Sequence, residues 1–186
     1  MRRVSYSMGV SLDGYICGPD GTFDWAAPDE ELHQFHNDQM REVGIHLLGR
    51  QLYETMVFWE TADQDQSLSP VEHEFAAIRQ NLPKVVFSRT LESVVGNTRL
   101  LRGQPEQELK RLRSEPGPDI AVGGAGLAAE LTRQGLIDEY RLFVNPVLAG
   151  GGTPYFPPLA APVNLELVET RAFSSRVSYQ RYRQRP

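Results

Sequence analysis

A glycine-rich segment between an apolar run and a helical pattern is the clearest chemical signal in the sequence. Residues 119–122 predict a buried strand, 123–126 are Gly-Gly-Ala-Gly, and 127–134 have helical spacing. Glycines at such a place let a phosphate approach backbone N–H groups at the positive end of the helix. Gly124, Gly126 and Ala129 match the G-x-G-x-x-A dinucleotide fingerprint. The alternative is an ordinary tight turn, because the chain does not continue with further strand–helix units.

Two other predicted strands also end in residues that can bind an anion. Arg50 follows Leu48-Gly49 at the end of one strand, and Ser88 with Arg89 follows another. Ligands of open α/β sheets bind at the carboxyl ends of the strands, and arginine holds phosphate with two parallel hydrogen bonds. Together the three strand ends predict a site for a dinucleotide with an additional ribose phosphate. For either arginine alone, a surface ion pair is the alternative.

The elements that must position these residues alternate between strands and helices, which is typical of an α/β fold. Asp29 is a predicted N-cap, and Glu30 and Glu31 lie in the first turn of the helix after it. No helical pattern separates the last three strands, which favours antiparallel strands at the sheet edge. Strands are predicted at 4–12, 45–48, 84–87, within 91–101, and at 119–122, 140–144, 165–168 and 177–182; further helices are predicted at 50–59, 71–82, 105–113 and 127–134.

A long loop follows the first predicted strand. It extends to Pro28, is rich in Gly, Pro and Asp, and carries the aromatic residues Tyr15, Phe23 and Trp25. Loops of this length are often functional. Trp25 is therefore a candidate substrate contact, although aromatic residues more often belong to a core.

Length, charge and cysteine content exclude several classes of protein. The 186 residues suit one domain over 1–186, and a formal net charge of −5 argues against nucleic-acid binding as the main function. The single cysteine, Cys17, excludes an internal disulfide and a cysteine-cluster metal site. No apolar run approaches the roughly 20 residues of a membrane-spanning helix, and the N-terminus lacks a signal-peptide pattern. We therefore expect a cytoplasmic protein without a membrane partner.

Four motifs in order resemble the dihydrofolate-reductase superfamily, in the branch of the C-terminal reductase domain of the bacterial bifunctional riboflavin biosynthesis deaminase-reductase. They are MGVSLDGYI at 8–16, LGRQLYE at 48–54, VGGAGLAAEL at 122–131 and LIDEYRLFVNPVLAGGGTPYF at 136–156. The resemblance covers nearly the whole chain. It implies a three-layer α/β sandwich with a central, mixed but mostly parallel sheet of about eight strands, flanked by helices and ending in antiparallel strands.

The resemblance also implies an NADPH-dependent oxidoreductase that works as a homodimer. The apolar segment 150–158 likewise favours a dimer. The positions that match the family's cofactor site fall into four groups. They are Met8, Gly9 and Ile16 at the nicotinamide; Gly49, Arg50, Gln51 and Leu52 at a phosphate-binding turn; Ser88 and Arg89 at the ribose phosphate; and Val122, Gly123, Gly124, Ala125, Gly126 and Leu127 at the pyrophosphate turn.

The substrate side of the resemblance rests on the first helix. Aligning Leu32 and Phe35 with the family's apolar pair places Glu31 where dihydrofolate reductase holds its pterin. A carboxylate there would bind an N-heterocycle and relay a proton during reduction, which makes Glu31 the candidate catalytic residue and Phe35 a candidate substrate contact. The alternative is that Glu31 is only a favourable charge at the helix start. Asp13, in the Ser-Leu-Asp-Gly motif, is expected to form a turn.

The implied activity is hydride transfer from NADPH to a small N-heterocyclic or carbonyl substrate. A pyrimidine or pteridine compound, such as 5-amino-6-(5-phosphoribosylamino)uracil, is favoured. The deaminase's zinc-ligand cysteines and His-x-Glu element are absent from the sequence, and the complete pterin-site pattern is not reproduced. The substrate therefore stays open, and a non-catalytic nucleotide-binding or interaction protein is the alternative. His33 and His36 lie one helical turn apart without a third ligand, so we expect no metal and one exposed and one half-buried histidine.

Overall fold

The computed structural model describes residues 1–185 of the chain. Within them the strands are β1 (Val4–Ser11), β2 (Tyr15–Cys17), β3 (Val43–Gly49), β4 (Lys84–Phe87), β5 (Thr98–Leu101), β6 (Asp119–Gly123), β7 (Glu139–Asn145), β8 (Thr153–Pro154), β9 (Leu165–Ala172) and β10 (Ser178–Gln184). The α-helices are α1 (Glu30–Arg41), α2 (Arg50–Met56), α3 (Pro70–Asn81), α4 (Pro105–Ser114) and α5 (Ala125–Arg133). Short 3₁₀ helices occupy Asp24–Ala26, Val57–Glu60 and Ala62–Gln64.

Eight strands form one central sheet in the order β5-β4-β3-β6-β1-β7-β10-β9. The six strands from β5 to β7 are parallel to one another, whereas β10 is antiparallel to both β7 and β9. The predicted fold class, a mostly parallel α/β sheet with antiparallel C-terminal strands, is confirmed. One detail of the prediction is wrong, because the strand at 140–144 runs parallel to β1. Helix α5 carries the chain back across the sheet between β6 and β7.

Several element boundaries differ from the predicted ones for local reasons. The helix predicted to start at Leu127 begins at Ala125, because Gly124 adopts a positive φ of 95° and serves as its N-cap. The helix predicted over 50–59 ends at Met56 and continues as a 3₁₀ turn. The pair β2 and β8 was not predicted, since strands of three and two residues are too short to show a period.

One face of the sheet carries the main hydrophobic core. Val4, Tyr6 and Val10 of β1 point to this face and pack with apolar residues of the neighbouring strands. Helices α4 and α5 cover it with Leu109, Leu112, Leu127, Ala128 and Leu131. Burial of this apolar surface is the dominant favourable contribution to folding.

In its centre, the opposite face of the sheet carries small residues, most of them polar. The alternate residues of β1 are Ser5, Ser7, Gly9 and Ser11, and their side chains occupy little volume. Two smaller apolar clusters flank this region. One contains Leu32, Phe143, Phe173, Val177 and Tyr179, and the other contains Leu48, Tyr53 and Val86. Between the two clusters the sheet face is open.

Across residues 1–185, no helix has the combination of length and apolar character that crossing a bilayer requires.

Candidate functional site

A cleft of about 850 Å³ lies on the polar face of the sheet. Its volume is within the range of small-molecule sites, about 300 to 1,000 Å³. Residues of β1, β6 and β3 form the floor, helices α1, α2 and α3 form the walls, and the loop from Gly21 to Pro28 reaches over it. At one end the cleft meets the carboxyl edge of the parallel strands, which is where ligands of open α/β sheets bind.

The structure brings many of the predicted cofactor residues to this cleft. Those that line it are Met8, Gly9, Ile16, Gln51, Leu52, Val122, Gly124 and Ala125. They come from four separate segments of the chain, which include the glycine-rich turn after β6 and the start of α2 but not the strand end at Ser88 and Arg89. The others, Gly49, Arg50, Ser88, Arg89, Gly123, Gly126 and Leu127, lie outside the lining.

The turn between β6 and α5 has the geometry of a phosphate cradle. Gly124 has a φ of 95°, and a Cβ on it would lie 3.5 Å from the backbone nitrogen of Gly49. No side chain caps the start of α5, so its first N–H groups lack the partner that a cap supplies. A Cβ on Gly126 would meet nothing within 4 Å, which leaves open space beside these groups. The turn therefore fits an anionic group such as the pyrophosphate of a dinucleotide.

Side-chain caps are present on two helices, α1 and α3. The Asp29 carboxylate accepts a hydrogen bond from the Leu32 backbone N–H at 2.9 Å in the first turn of α1. Ser69 and Glu72 form a capping box at the start of α3. Helices α2 and α4 lack a side-chain cap as α5 does, and α2 also begins at a glycine, Gly49, which lies against the turn of α5.

Gly123 has a packing role. A Cβ at this position would lie 2.4 Å from Leu52 Cδ2 and 2.8 Å from His46 Nε2, both closer than van der Waals contact allows. Only glycine therefore lets β6 pass beneath α2. Leu127 is likewise buried in the main core.

Arg50, Ser88 and Arg89 lie together at the end of the sheet beyond the cleft. Arg50 donates to Glu54 at 2.8 Å and to the Thr90 hydroxyl at 2.7 Å. The surface ion pair that was the alternative to phosphate binding is therefore present. The Ser88 hydroxyl accepts from the backbone N–H groups of Thr90 and Leu91. The side chain of Arg89 is exposed and makes no ion pair within residues 1–185. These residues form a basic surface next to the cradle.

The structure does not bring Glu31 to the cleft. Its carboxylate accepts hydrogen bonds from the Ser174 hydroxyl at 2.7 Å and from Arg171 at 2.9 Å, at the outer end of α1. The Ser174 hydroxyl and backbone N–H, together with Arg171, lower the pKa of Glu31 to about 2. A carboxylate held ionised outside the cleft has no proton to give a bound substrate. The geometry therefore does not support the predicted catalytic role.

Phe35 and Trp25 also lie outside the cleft lining. The ring of Phe35 packs edge-on against those of Phe143, Phe173 and Tyr179, with centroids 5.0 to 6.1 Å away, so it belongs to a core cluster. Trp25 is half-buried in the 3₁₀ helix above the cleft, where its neighbours Ala26 and Ala27 contribute the lining atoms. The structure therefore does not place the two predicted substrate contacts, Phe35 and Trp25, in the cleft lining.

Three histidines line the cleft, and their surroundings correct a prediction. His33 is buried against the rings of Trp59 and Phe75, and His36 is half-buried on Phe143 at 4.2 Å, so neither is exposed. Burial lowers the pKa of His36 to about 4. His46 is buried too, and burial followed by the charges of Arg79 and Lys84 lowers its pKa to about 3. All three imidazoles are neutral at pH 7.

No cluster of three or more His, Cys, Asp or Glu side chains suited to a metal ion occurs in the described chain, 1–185.

The polar floor is the part of the site that the sequence analysis missed. Ser5, Ser7, Arg141 and Arg79 line the cleft. Two signals could have found them. The serines alternate with the apolar residues of β1, which predicts a small, polar opposite face. Arg79 lies four residues after Phe75 on the buried side of α3, where an arginine is unusual.

Asp13 organises the roof of the cleft, as the turn prediction expected. Its carboxylate accepts from the Ser11 hydroxyl at 2.6 Å and from the backbone N–H groups of Ala149 and Gly150 at 2.9 and 2.8 Å. These hydrogen bonds lower its pKa to about 2. The small sheet of β2 and β8 follows, and Ile16 and Thr153 from it line the cleft. Within 150–158, Tyr155 is buried inside this same chain, where its hydroxyl donates to Tyr6 O at 2.9 Å.

Comparison with known proteins gives one family. The profile of the RibD C-terminal domain matches residues 2–179. The uncharacterized protein YyaP of Bacillus subtilis (strain 168) is 32% identical over 177 residues, covering 95% of this chain and 92% of YyaP.

Solved structures show the same fold at lower identity. A putative riboflavin biosynthesis protein from Shewanella sp. PV-4 superposes with a TM-score of 0.76 at 20% identity, over 100% of both chains. Acinetobacter baumannii RibD gives 0.71 at 18% identity, with all of this chain covering 58% of that one. The match over nearly the full length confirms the resemblance, and the chain belongs to the RibD C-terminal domain family.

Proposed function

We propose that the protein is an NADPH-dependent reductase of a small N-heterocyclic or carbonyl compound, of the riboflavin-biosynthesis type. One observation carries the proposal. The glycine turn at the start of α5 opens directly into a cleft that continues across a polar sheet face. One end of this cleft suits the phosphates of a dinucleotide, and the other has room and hydrogen-bonding groups for a second molecule. The family supports oxidoreductase chemistry in general.

The residues that would hold the cofactor follow from this geometry. The N–H groups at the start of α5 and the open space at Gly126 suit the pyrophosphate. Arg50 and Arg89, on the surface beside the cradle, suit a 2′-phosphate because a guanidinium binds phosphate through two hydrogen bonds. Met8, Gly9 and Ile16 would surround the nicotinamide, which supplies the hydride when NADPH is bound.

The chain's own part in the reaction is to orient the substrate and to stabilise charge. The neutral imidazole of His36 has a pKa of about 4, and hydrogen bonds from Ser69 keep the pKa of Glu72 below its usual value. Neither group holds a proton for transfer at neutral pH. We therefore propose that water supplies the proton, while Ser7 and Arg141 on the floor bind the polar atoms of the substrate.

A direct test separates cofactor binding from turnover. Titration with NADPH, followed by tryptophan fluorescence and calorimetry, should show saturable binding, because Trp59 lies in the cleft wall. Oxidation of NADPH is then measured against panels of pyrimidine, pteridine and quinone compounds. Absence of any binding signal at millimolar NADPH would refute the proposal.

A non-catalytic nucleotide-binding protein is the second candidate. The position of Glu31 outside the cleft favours it, since the predicted proton donor is then missing. NADPH binding without oxidation across the same panels would support this candidate, and turnover of any of the compounds would exclude it.

The homodimer implied by the resemblance remains a proposal. Light scattering measures the mass directly, and a monomer mass would remove it.

A further inference from the structure

Arg79 is a buried cation in the wall of the cleft. Its relative exposure is 1%, although arginine is almost never fully buried without a partner. The Nη1 atom lies 3.4 Å from His46 Nδ1, and Nε makes no hydrogen bond within residues 1–185. The side chain lines the cleft, so the guanidinium borders space that a ligand could occupy.

The charges around Arg79 do not balance. Lys84 pairs with Glu60 at 3.2 Å, and both side chains are buried. No carboxylate lies within 4.0 Å of the Arg79 guanidinium in the described part of the chain. Two cations therefore share one carboxylate. Burying a charge without a partner is unfavourable, which makes the imbalance a feature that needs an explanation.

The other titratable groups near Arg79 do not compensate for its charge. His46 is neutral because burial and the two cations lower its pKa. Glu72 lies two helical turns before Arg79 in α3 and also lines the cleft, but its Oε2 accepts from the backbone N–H and the hydroxyl of Ser69, and within residues 1–185 it makes no ion pair with Arg79. Neither neighbour therefore forms an ion pair with the Arg79 guanidinium.

The floor beside Arg79 offers further hydrogen-bond donors. The strand register aligns Lys84, His46, Ala121 and Ser5 in one row across the polar face. Ser5 is buried, yet its hydroxyl makes no hydrogen bond to the described residues. A cation and a free hydroxyl bordering one cleft form a suitable environment for an oxyanion.

We propose that the inner end of the cleft is a subsite for an oxyanion group, a carboxylate or a phosphate, with Arg79 as its cation. The anion site rests on the position of Arg79 in the cleft wall, its missing ion pair and the Ser5 hydroxyl, whereas its assignment to the substrate rests on the proposed function. The substrate is then an anionic compound, with the group to be reduced beside the proposed nicotinamide position at Met8, Gly9 and Ile16 and the oxyanion at the Arg79 end. Neutral analogues of the same ring would bind weakly.

The binding test uses small probes without NADPH and reports on Arg79 itself. The Nε–H resonance of Arg79 is followed by NMR during titration with inorganic phosphate, benzoate and the neutral isostere benzamide. We expect the resonance to shift with the two anions, and benzoate to bind at least about tenfold more tightly than benzamide. Comparing the affinities for phosphate and benzoate shows whether the subsite prefers a phosphate or a carboxylate. If neither anion moves the resonance, the proposal is wrong.

Variants separate a ligand role from a structural one. Arg79→Met keeps the length and apolar stem of the side chain, so it should leave the melting temperature unchanged or raised and make the affinities for benzoate and benzamide equal. Arg111→Met, at an exposed, ion-paired arginine on α4, is the matched control and should leave both affinities as they are. A clear fall in melting temperature with Arg79→Met, together with unchanged anion affinity, would assign Arg79 to the fold and overturn the proposal.

NADPH binding, measured in parallel on the same samples, separates this inference from the proposed function. NADPH binding without anion binding at Arg79 would reject the subsite and leave the reductase proposal in place. Anion binding without NADPH binding would establish the subsite and reject the reductase proposal.

Discussion

The two faces of the central sheet are built from the same strands but differ in role: one carries the hydrophobic core and the other carries the cleft. On one face, Val4, Tyr6 and Val10 of β1 pack under α4 and α5 in a continuous apolar core. On the other, Ser5, Ser7 and Gly9 border a cleft with buried charges. Because side chains alternate along a strand, a single segment of eight residues contributes to both. The difference teaches that stability and ligand binding can be altered separately in this protein.

The largest expected effect tests the apolar face. Leu131, on the inner side of α5, is fully buried in the core. Leu131→Ala should lower the free energy of unfolding by about 2 to 5 kcal/mol, because it leaves a cavity that the packed core fills only in part. Urea denaturation measures the change. Ser7→Ala on the cleft face is the control and should change stability by about 0.5 kcal/mol or less. Equal losses would contradict the division between the faces.

The next prediction compares two glycines of one turn. Gly123→Ala should cost about 1 to 3 kcal/mol of stability, because its Cβ would overlap Leu52 and His46. Gly126→Ala meets no atom within 4 Å and should leave stability unchanged or raise it by up to about 1 kcal/mol. Its methyl group nevertheless enters the space assigned to the pyrophosphate, so NADPH affinity should fall. Unchanged NADPH binding in a folded Gly126→Ala protein would place the phosphates elsewhere.

A smaller effect is expected at the basic surface beside the cradle. Arg50→Ala should raise the KM for NADPH by about tenfold or more, as expected for loss of a charge-assisted hydrogen bond, and leave the KM for NADH unchanged. Its exposed ion pair with Glu54 contributes about 1 kcal/mol or less, so unfolding should change little. Steady-state kinetics with NADPH and with NADH give the ratio of the two KM values for each protein. Equal effects on both cofactors would argue against a 2′-phosphate contact.

The smallest effect is expected at Glu31, outside both faces. Glu31→Gln should leave turnover unchanged and lower stability slightly at neutral pH. The folded-state pKa of about 2 lies below the ordinary value of 4.5, so the stabilisation is present above that ordinary value and disappears as the pH falls towards 2. The stability difference between the two proteins should therefore shrink between about pH 5 and 2. Loss of turnover in Glu31→Gln would restore the catalytic assignment.

The sequence predicted the fold and the glycine turn between β6 and α5 well because both depend on local patterns. The strand at 84–87 and the N-cap at Asp29 follow from apolar period and capping chemistry, and the structure contains both. The Gly-Gly-Ala-Gly turn follows from the junction of a strand and a helix. Such signals lie within a few consecutive residues.

The substrate end of the site could not be predicted in the same way. Glu31 carries the chemistry expected of a proton donor, but its partner Arg171 lies 140 positions away and holds it at the outer surface. Arg79 reaches the cleft wall because α3 packs against α1 and the 3₁₀ helices at Val57–Glu60 and Ala62–Gln64, which brings its guanidinium to His46 of β3. Its lack of an ion pair depends on all of these elements together. Contacts of this kind depend on tertiary packing, which one sequence does not reveal.

The place of β1 in the sheet has a consequence for how the protein is made. This strand is synthesised first, yet it lies between β6 and β7, whose paired residues come more than a hundred positions later. During translation β1 has no neighbouring strand in the central sheet until β6 has left the ribosome. Contacts of such long sequence separation slow folding and leave strand edges exposed meanwhile. We therefore expect the sheet to close only once β7 has been synthesised, with yield sensitive to temperature and to chaperones.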